Sequence, residues 1–174
     1  MCSNPSAPDH AAALHLWQRG YQLQSRRDLV GAERLYRESI DLHPTAEAWT
    51  FLGWVASWRG ELDLAIERCH QAIEVDPSFG NPYNDIGAYL IELGRHEEAI
   101  SWLQRAIDAP RYEARVFPHV NLGRIFERLG RFAEAVEHYS RALEIQPRHA
   151  QALQALERLL PRRNGHVKPP EARR

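Results

Sequence analysis

The chain is poor in the residues that build disulfide frameworks, metal centres and membrane spans. It has only two cysteines, Cys2 and Cys69, which form no Cys-x-x-Cys motif, and its nine histidines are scattered without a His-Glu-x-x-His motif. No stretch approaches the ~20 apolar residues of a membrane helix. The first ten residues lack the basic and apolar segments of a signal peptide. We therefore expect a cytoplasmic protein with reduced thiols and with no cofactor, metal site, catalytic site or membrane insertion.

A large excess of charge of one sign is also missing. The 174 residues carry a net charge of −1, and 44% of them are hydrophobic, which is the composition of a globular protein. Residues 161–174 hold five basic side chains and one acidic one, so the rest of the chain is mildly acidic. We expect no nucleic-acid partner, a flexible leader over residues 1–8 and a disordered basic tail over residues 161–174. All basic residues but one are arginine, which is typical of a bacterial source.

Small residues recur along the chain with a spacing of 33 to 36 residues. Gly53, Gly87 and Gly123 close three similar segments, and a degenerate first copy with Gly20 and Ala32 is in phase with them. In the three full copies a second glycine follows, and after it two alanines seven residues apart: Gly60, Gly94 and Gly130, then Ala65, Ala99 and Ala135, then Ala72, Ala106 and Ala142.

Each repeated position has a physical reason. Small side chains at the first glycine and at the alanines let two helix backbones approach closely, and apolar residues recur between them at helical spacing. The second glycine suits the left-handed turn that ends one helix, and Pro77 and Pro147 stop the second helix of their copies. Only Gly31, Gly80 and Gly165 have no place in this pattern, so we assign them no structural role.

From Ala13 to Pro147 the chain resembles the tetratricopeptide repeat, a helix–turn–helix unit of ~34 residues. The resemblance implies an all-α, right-handed superhelical solenoid of antiparallel helix pairs. We expect one solenoid domain over residues 9–160. Its predicted parts are repeats at 13–45, 46–79, 80–115 and 116–147, and a capping helix at 148–160 that ends at Pro161.

The sequence departs from the family pattern at two places. Arg27 and Asp28 replace the glycine between the helices of the first copy. The junction over residues 108–115 is two residues longer than its counterpart. This insertion could lengthen the first helix of the fourth copy or form a looser corner.

In the family, the first helix of each pair lines a concave face on which partner peptides or helices bind. Twelve residues fall on that face by their phase in the repeat: Trp17, Tyr21, Thr50, Trp54, Trp58, Asn81, Asn84, Asp85, Phe117, Asn121, Arg124 and Arg128. The N-terminal members are mostly aromatic, whereas the later ones are amides, an acid and arginines. A partner segment with an apolar anchor and an acidic end would match this order.

Other interpretations of these residues stay open. Trp54 and Trp58 could pack on a neighbouring copy, and Asn84 and Asn121 could be ordinary solvated residues. Arg128 lies near a helix C-terminus, where a cation is favourable for the helix dipole alone. Some family members hold a C-terminal aspartate pair in a two-carboxylate clamp of Lys, Asn and Arg. Trp17 and Tyr21 stand where that clamp needs Lys and Asn, so the clamp is absent.

We predict a non-catalytic adaptor or scaffold that binds a peptide or helix of another protein in the concave groove. The alternative is a scaffold that forms homo-oligomers through its convex face or its terminal helix. That alternative is suggested by Trp102, which the repeat places on the outer side of a second helix, in the phase that Leu35 holds in the first copy. A third interpretation, in which the basic tail contacts nucleic acid or acidic lipid, competes with a merely solubilising tail.

Overall fold

A computed structural model describes residues 7–163 and folds them into helices joined by short loops. The helices are α1 (Ala7–Ser25), α2 (Leu29–Leu42), α3 (Ala46–Trp58), α4 (Leu62–Val75), α5 (Asn81–Glu92), α6 (His96–Asp108), α7 (Val116–Arg128), α8 (Phe132–Ile145) and α9 (Ala150–Arg163). The first eight pack as four consecutive pairs, and α9 packs on α8. The all-α architecture of helix pairs predicted from the repeat is confirmed.

The chain divides into two compact units. The first unit ends at Glu113 and contains α1 to α6, whereas the second begins at Ala114 and contains α7 to α9. Within the first unit, α3 contacts both α1 and α5, so the first helices of three repeats lie side by side. The single domain over residues 9–160 stays a prediction.

The first glycine of each repeat lies against a side chain or carbonyl of the partner helix. A Cβ atom on Gly87 would come within 2.6 Å of Leu103, and one on Gly123 within 2.7 Å of the Tyr139 ring. Real Cβ atoms essentially never show contacts this short, so with a larger residue the packing of the pair would have to shift. A Cβ atom on Gly53 would lie 3.1 Å from the backbone carbonyl of Ala65, so the predicted close approach of backbones is seen in this pair, whereas Gly87 and Gly123 make room for partner side chains.

The second glycine ends the first helix with a left-handed residue, as predicted. Gly60, Gly94 and Gly130 have φ angles of 81°, 76° and 73°. In the first repeat Arg27 takes this place with a φ of 65°, and it is the one non-glycine residue with positive φ within residues 7–163. The turn hydrogen bonds around Arg27 repeat those around Gly60. The geometry of the turn is thus kept even where the glycine is lost.

The long junction before α7 forms a corner and does not lengthen that helix. Arg111 lies in this corner and its guanidinium contacts carboxylates of Asp76 and Glu47, both at 2.7 Å. The same guanidinium stacks over the ring of Phe79 at 4.2 Å from its centroid. The longer junction therefore places the guanidinium of Arg111 against residues of earlier repeats in the same unit.

Two glycines outside the repeat pattern have structural roles, so our assignment of none was wrong. A Cβ atom on Gly80 would overlap the side chain of Tyr112 from the corner. The backbone N–H of Gly31 donates to the carboxylate of Asp28 at 2.9 Å and so caps α2. A Cβ atom on Gly31 would lie 2.5 Å from that carboxylate.

The two ends of the chain differ from the sequence prediction where the structure describes them. The last helix runs on to Arg163, so Pro161 does not end it. The first helix begins at Ala7, inside the predicted flexible leader. The rest of the leader, and residues 164–174 of the predicted tail, lie outside the described residues. None of the helices in residues 7–163 is long and apolar enough to cross a membrane.

We expect Arg27→Gly to raise the free energy of unfolding by roughly 0.5–1 kcal/mol. A left-handed residue with a Cβ atom costs about 1–2 kcal/mol, which glycine avoids. Glycine offsets part of this gain, because it loses more conformational entropy on folding. Urea denaturation followed by circular dichroism measures the change. Arg26→Gly is the matched control, because its position needs no positive φ and the change should destabilise. An equal effect of both substitutions would contradict the turn assignment.

Candidate partner-binding surfaces

An aromatic cluster, made of Trp17, Tyr21, Phe51 and Trp54, lies on the first helices of the first unit. Phe51 is its centre, with ring centroids 5.4 Å from Trp17, 5.5 Å from Tyr21 and 4.8 Å from Trp54. Phe51 itself is nearly buried, whereas Tyr21 is 49% exposed. The rings of two repeats thus join into one surface that is apolar at its base and open at Tyr21.

The indole of Trp17 has an unmet hydrogen-bonding need. Its Nε1 atom is buried, and within the described part of the chain it has no hydrogen-bond partner. Leaving a buried donor unpaired costs ~1–3 kcal/mol. A buried atom is not presented to a partner, so this N–H belongs to the packing beneath the cluster.

Asp85 holds the indole ring of Trp54 in place through a hydrogen bond. The carboxylate of Asp85 accepts a hydrogen bond from Trp54 Nε1, and the side chain is only 8% exposed. Burial raises the pKa of Asp85 to about 7, although the indole N–H stabilises the charged form. The neighbouring Asn84 donates to the same carboxylate at 3.4 Å, which is a long hydrogen bond. Asp85 therefore orients a surface ring and is not itself presented to a partner.

Three other residues of the first unit that were predicted to line the partner-binding face lie outside the aromatic cluster. Thr50 is fully buried and its hydroxyl donates to the Ala46 carbonyl at 2.7 Å, so the prediction that it lines an accessible surface is wrong. Trp58 is 55% exposed and lies in a separate open cleft with Arg27 and Leu29. Asn81 is the first residue of α5 and is half-buried.

A second candidate surface, the arginine cleft, belongs to the second unit. It is an open cleft of ≈ 400 Å³ lined by Arg124, Glu127, Arg128, Tyr139 and Arg158. Arg158 of α9 binds both carboxylate oxygens of Glu127 at 2.8 Å, and the Tyr139 hydroxyl donates to Glu127 at 3.3 Å. Burial raises the pKa of Tyr139 to about 12, so its hydroxyl stays a donor.

Asn121 and Phe117 complete the predicted set on α7. Asn121 accepts a hydrogen bond from Arg124 at 3.3 Å and so lies beside the cleft. Phe117 is 49% exposed, and its ring lies 6.3 Å from that of His149. The structure thus brings Asn121, Arg124 and Arg128 together.

One histidine pair forms in the second unit. His119 and His138 approach with 3.1 Å between their Nδ1 atoms, and Phe126 stacks on His138. Burial lowers the pKa of both imidazoles. Within residues 7–163 no group of three metal-ligating side chains forms. At 3.1 Å the two rings share a hydrogen bond, in which one imidazole donates its Nδ1–H to the Nδ1 of the other.

Trp102 is not the unneeded outer aromatic that the sequence suggested. It is half-buried, with its ring 6.1 Å from Tyr83 and 5.1 Å from His70. The guanidinium of Arg105 lies 4.4 Å from its centroid. Leu35, in the same phase of the first repeat, is 3% exposed. The residue that motivated the self-assembly hypothesis thus has a packing role within its own unit.

Sequence reasoning missed Phe51 and Arg158. Phe51 precedes Trp54 by three residues on α3, and this helical spacing could have identified it as part of the same face. Arg158 had no such signal, because its contact with Glu127 depends on how α9 packs on α8.

Comparisons with known proteins agree on one family. The model of the tetratricopeptide repeat matches residues 78–148. The small glutamine-rich tetratricopeptide repeat-containing protein 2 of Mycosarcoma maydis is 32% identical over 106 residues, which are 60% of this chain and 30% of that protein. This chain thus spans less than a third of the length of that relative.

Solved structures share the fold. The pilF protein of Pseudomonas aeruginosa superposes with a TM-score of 0.84 at 24% identity, covering 90% of this chain and 71% of that one. YrrB, described as a protein of this repeat family with an unusual peptide-binding site, superposes with a TM-score of 0.64 at 20% identity, covering 88% of each chain. At these identities the likeness shows the fold alone, which is the helix-pair solenoid predicted from the repeat.

We expect Asp85→Asn to make the protein more stable at pH 8 and to flatten part of its pH dependence. Because the folded pKa lies above the unfolded one, the Asp85 contribution to stability is lost as pH rises from about 4 to about 7. The loss amounts to at most about 4 kcal/mol. Asparagine keeps an oxygen that accepts from the Trp54 indole.

Thermal unfolding from pH 4 to pH 8 measures this effect. Asp63→Asn, the same change at an exposed carboxylate of α4, is the control and should leave the profile nearly unchanged. If the melting temperatures of Asp85→Asn and of the unmodified protein change in parallel with pH, the pKa of Asp85 is not raised in the folded protein.

Proposed function

Because the chain belongs to the tetratricopeptide repeat family, we propose that it captures a segment of another protein on the aromatic cluster. The tetratricopeptide fold is in general a scaffold for protein–protein interaction. The proposed role is that of an adaptor, and it involves no catalytic step.

The observation that carries this proposal is the aromatic cluster itself, in which the half-exposed ring of Tyr21 lies against the nearly buried Phe51. Tyrosine and tryptophan bury much apolar area with little loss of side-chain entropy, and they dominate binding hot spots. A partner segment that places an apolar side chain against Tyr21 covers this exposed ring and removes it from water.

The cluster is also well fixed before any partner arrives. Phe51 and Asp85 hold Trp54 from two sides, and Tyr36 packs against Phe51 with its hydroxyl bound to Gln24 at 2.8 Å. A rigid surface loses less entropy on binding, which favours affinity.

We expect Tyr21→Ala to weaken capture of partner peptides by about tenfold or more, as for hot-spot aromatics. The substitution removes the exposed ring and leaves the nearly buried Phe51 in place. Peptides selected from a random display library with the unmodified chain serve as probes, and calorimetry gives their affinities.

Phe132→Ala is the matched control, because Phe132 is 43% exposed at the start of α8 and lies outside the cluster. Equal affinity of Tyr21→Ala and the unmodified chain for the selected peptides would contradict the proposal. A melting temperature measured for each variant separates lost binding from lost folding.

Light scattering tests the alternative, a self-assembling scaffold. We expect the mass of a monomer, 20.1 kDa, at high protein concentration, because Trp102 is packed within its own unit. A mass that doubles with concentration would support the homo-oligomer instead.

A further inference from the structure

The arginine cleft carries more positive charge than its own contacts neutralise. Its three arginines face one acid, Glu127, and both oxygens of that acid are held by Arg158. Arg124 and Arg128 are exposed and form no ion pair within the described residues. They lie one helical turn apart on α7, so their side chains emerge on the same face.

Asn121 holds the side chain of Arg124 and uses only one of its donors. Arg124 gives one hydrogen bond to Asn121, and a guanidinium has five N–H donors. The remaining donors of Arg124 and Arg128 form two forks, and such forks bind a carboxylate through two parallel hydrogen bonds.

The charge of the two units favours the same ligand. Residues 114–163 hold nine arginines and five acids, a net charge of +4. Residues 7–113 hold ten arginines and seventeen acids, a net charge of −7. An acidic segment is therefore attracted by the second unit and repelled by the first.

We infer that the arginine cleft binds an acidic segment of a partner protein, with neighbouring Asp or Glu carboxylates on Arg124 and Arg128. This inference rests on the proposed function only in taking the partner to be a protein. Arg158 is the positioning residue, because it neutralises Glu127, which would otherwise repel the incoming carboxylates.

A fluorescently labelled oligoglutamate peptide is the probe, and oligoglutamine of equal length is the uncharged reference. We expect oligoglutamate to bind and oligoglutamine not to bind. The double variant Arg124→Gln/Arg128→Gln should lose about tenfold or more in affinity, because it removes two charge-assisted contacts. Arg124→Gln and Arg128→Gln are also measured singly, and Arg148→Gln, which changes an exposed arginine of the same unit outside the cleft, is the charge-matched control for each of them.

Three outcomes would overturn the inference. Arg148→Gln could weaken oligoglutamate as much as a single cleft substitution, which would mean attraction by overall charge alone. Oligoglutamate could fail to bind. A single-stranded oligonucleotide could bind more tightly than oligoglutamate and depend on Arg124 and Arg128, which would make the cleft a phosphate site.

The inference and the proposed function fail separately. Tyr21→Ala should leave oligoglutamate binding intact, since the probe has no apolar anchor. If library peptides bind the aromatic cluster and oligoglutamate does not bind, the proposed function stands and the inference falls. If oligoglutamate binds as expected and no library peptide depends on Tyr21, the inference stands and the proposed function falls.

Discussion

The backbone of each first helix lies directly against a side chain of its partner helix, and this contact determines which residues face outward. Gly87 against Leu103 and Gly123 against Tyr139 leave no room for a Cβ atom, so the glycine side of each helix is committed to its own pair. Residues on the opposite side cannot be used for that packing. Around their helices, Phe51 lies about 160° and Arg128 about 140° from the glycine, and Trp54 and Arg124 lie about 100° from it, all outside the glycine side. The candidate surfaces are therefore a consequence of how the pairs close.

Within the first unit, Asp85 shows what it costs to bury a polar group beneath such a surface. A carboxylate that is nearly buried without a cation is unfavourable, and its raised pKa expresses that unfavourable energy. The hydrogen bond from Trp54 offsets part of the energy and fixes the ring at the surface. A buried polar group that destabilises the fold while orienting a surface aromatic is more easily explained by binding than by stability.

The sequence was a good guide to the fold where the residue type itself is demanded by geometry. Glycine at a close approach and glycine with positive φ are requirements of the backbone, so the helix pairs could be predicted from Gly53, Gly60 and their counterparts. Arg27 shows the limit of this reasoning, because the same turn forms without glycine. Pro161 shows another, because a helix continues through it near its end.

The candidate surfaces were predicted less well, because phase along a helix does not determine depth. Thr50 has the phase of a surface residue and yet lies fully buried, since its hydroxyl can bond to the carbonyl of Ala46 on its own helix. Trp102 has the phase of an outer residue and is covered by neighbouring rings. Contacts that join distant parts of the chain, such as Arg158 with Glu127, have no periodic signal at all.

The two surfaces draw on different physical forces, and this difference bears on selectivity. Binding at the aromatic cluster depends on buried apolar area, which ordinary salt hardly changes. Binding at the arginine cleft depends on charge, which is screened over about 8 Å at physiological ionic strength. Apolar area admits many sequences, since any large side chain can fill it, whereas paired carboxylates are a narrower requirement. On the two proposals made above, binding at the arginine cleft is therefore the more selective of the two, and binding at the aromatic cluster is the less sensitive to salt.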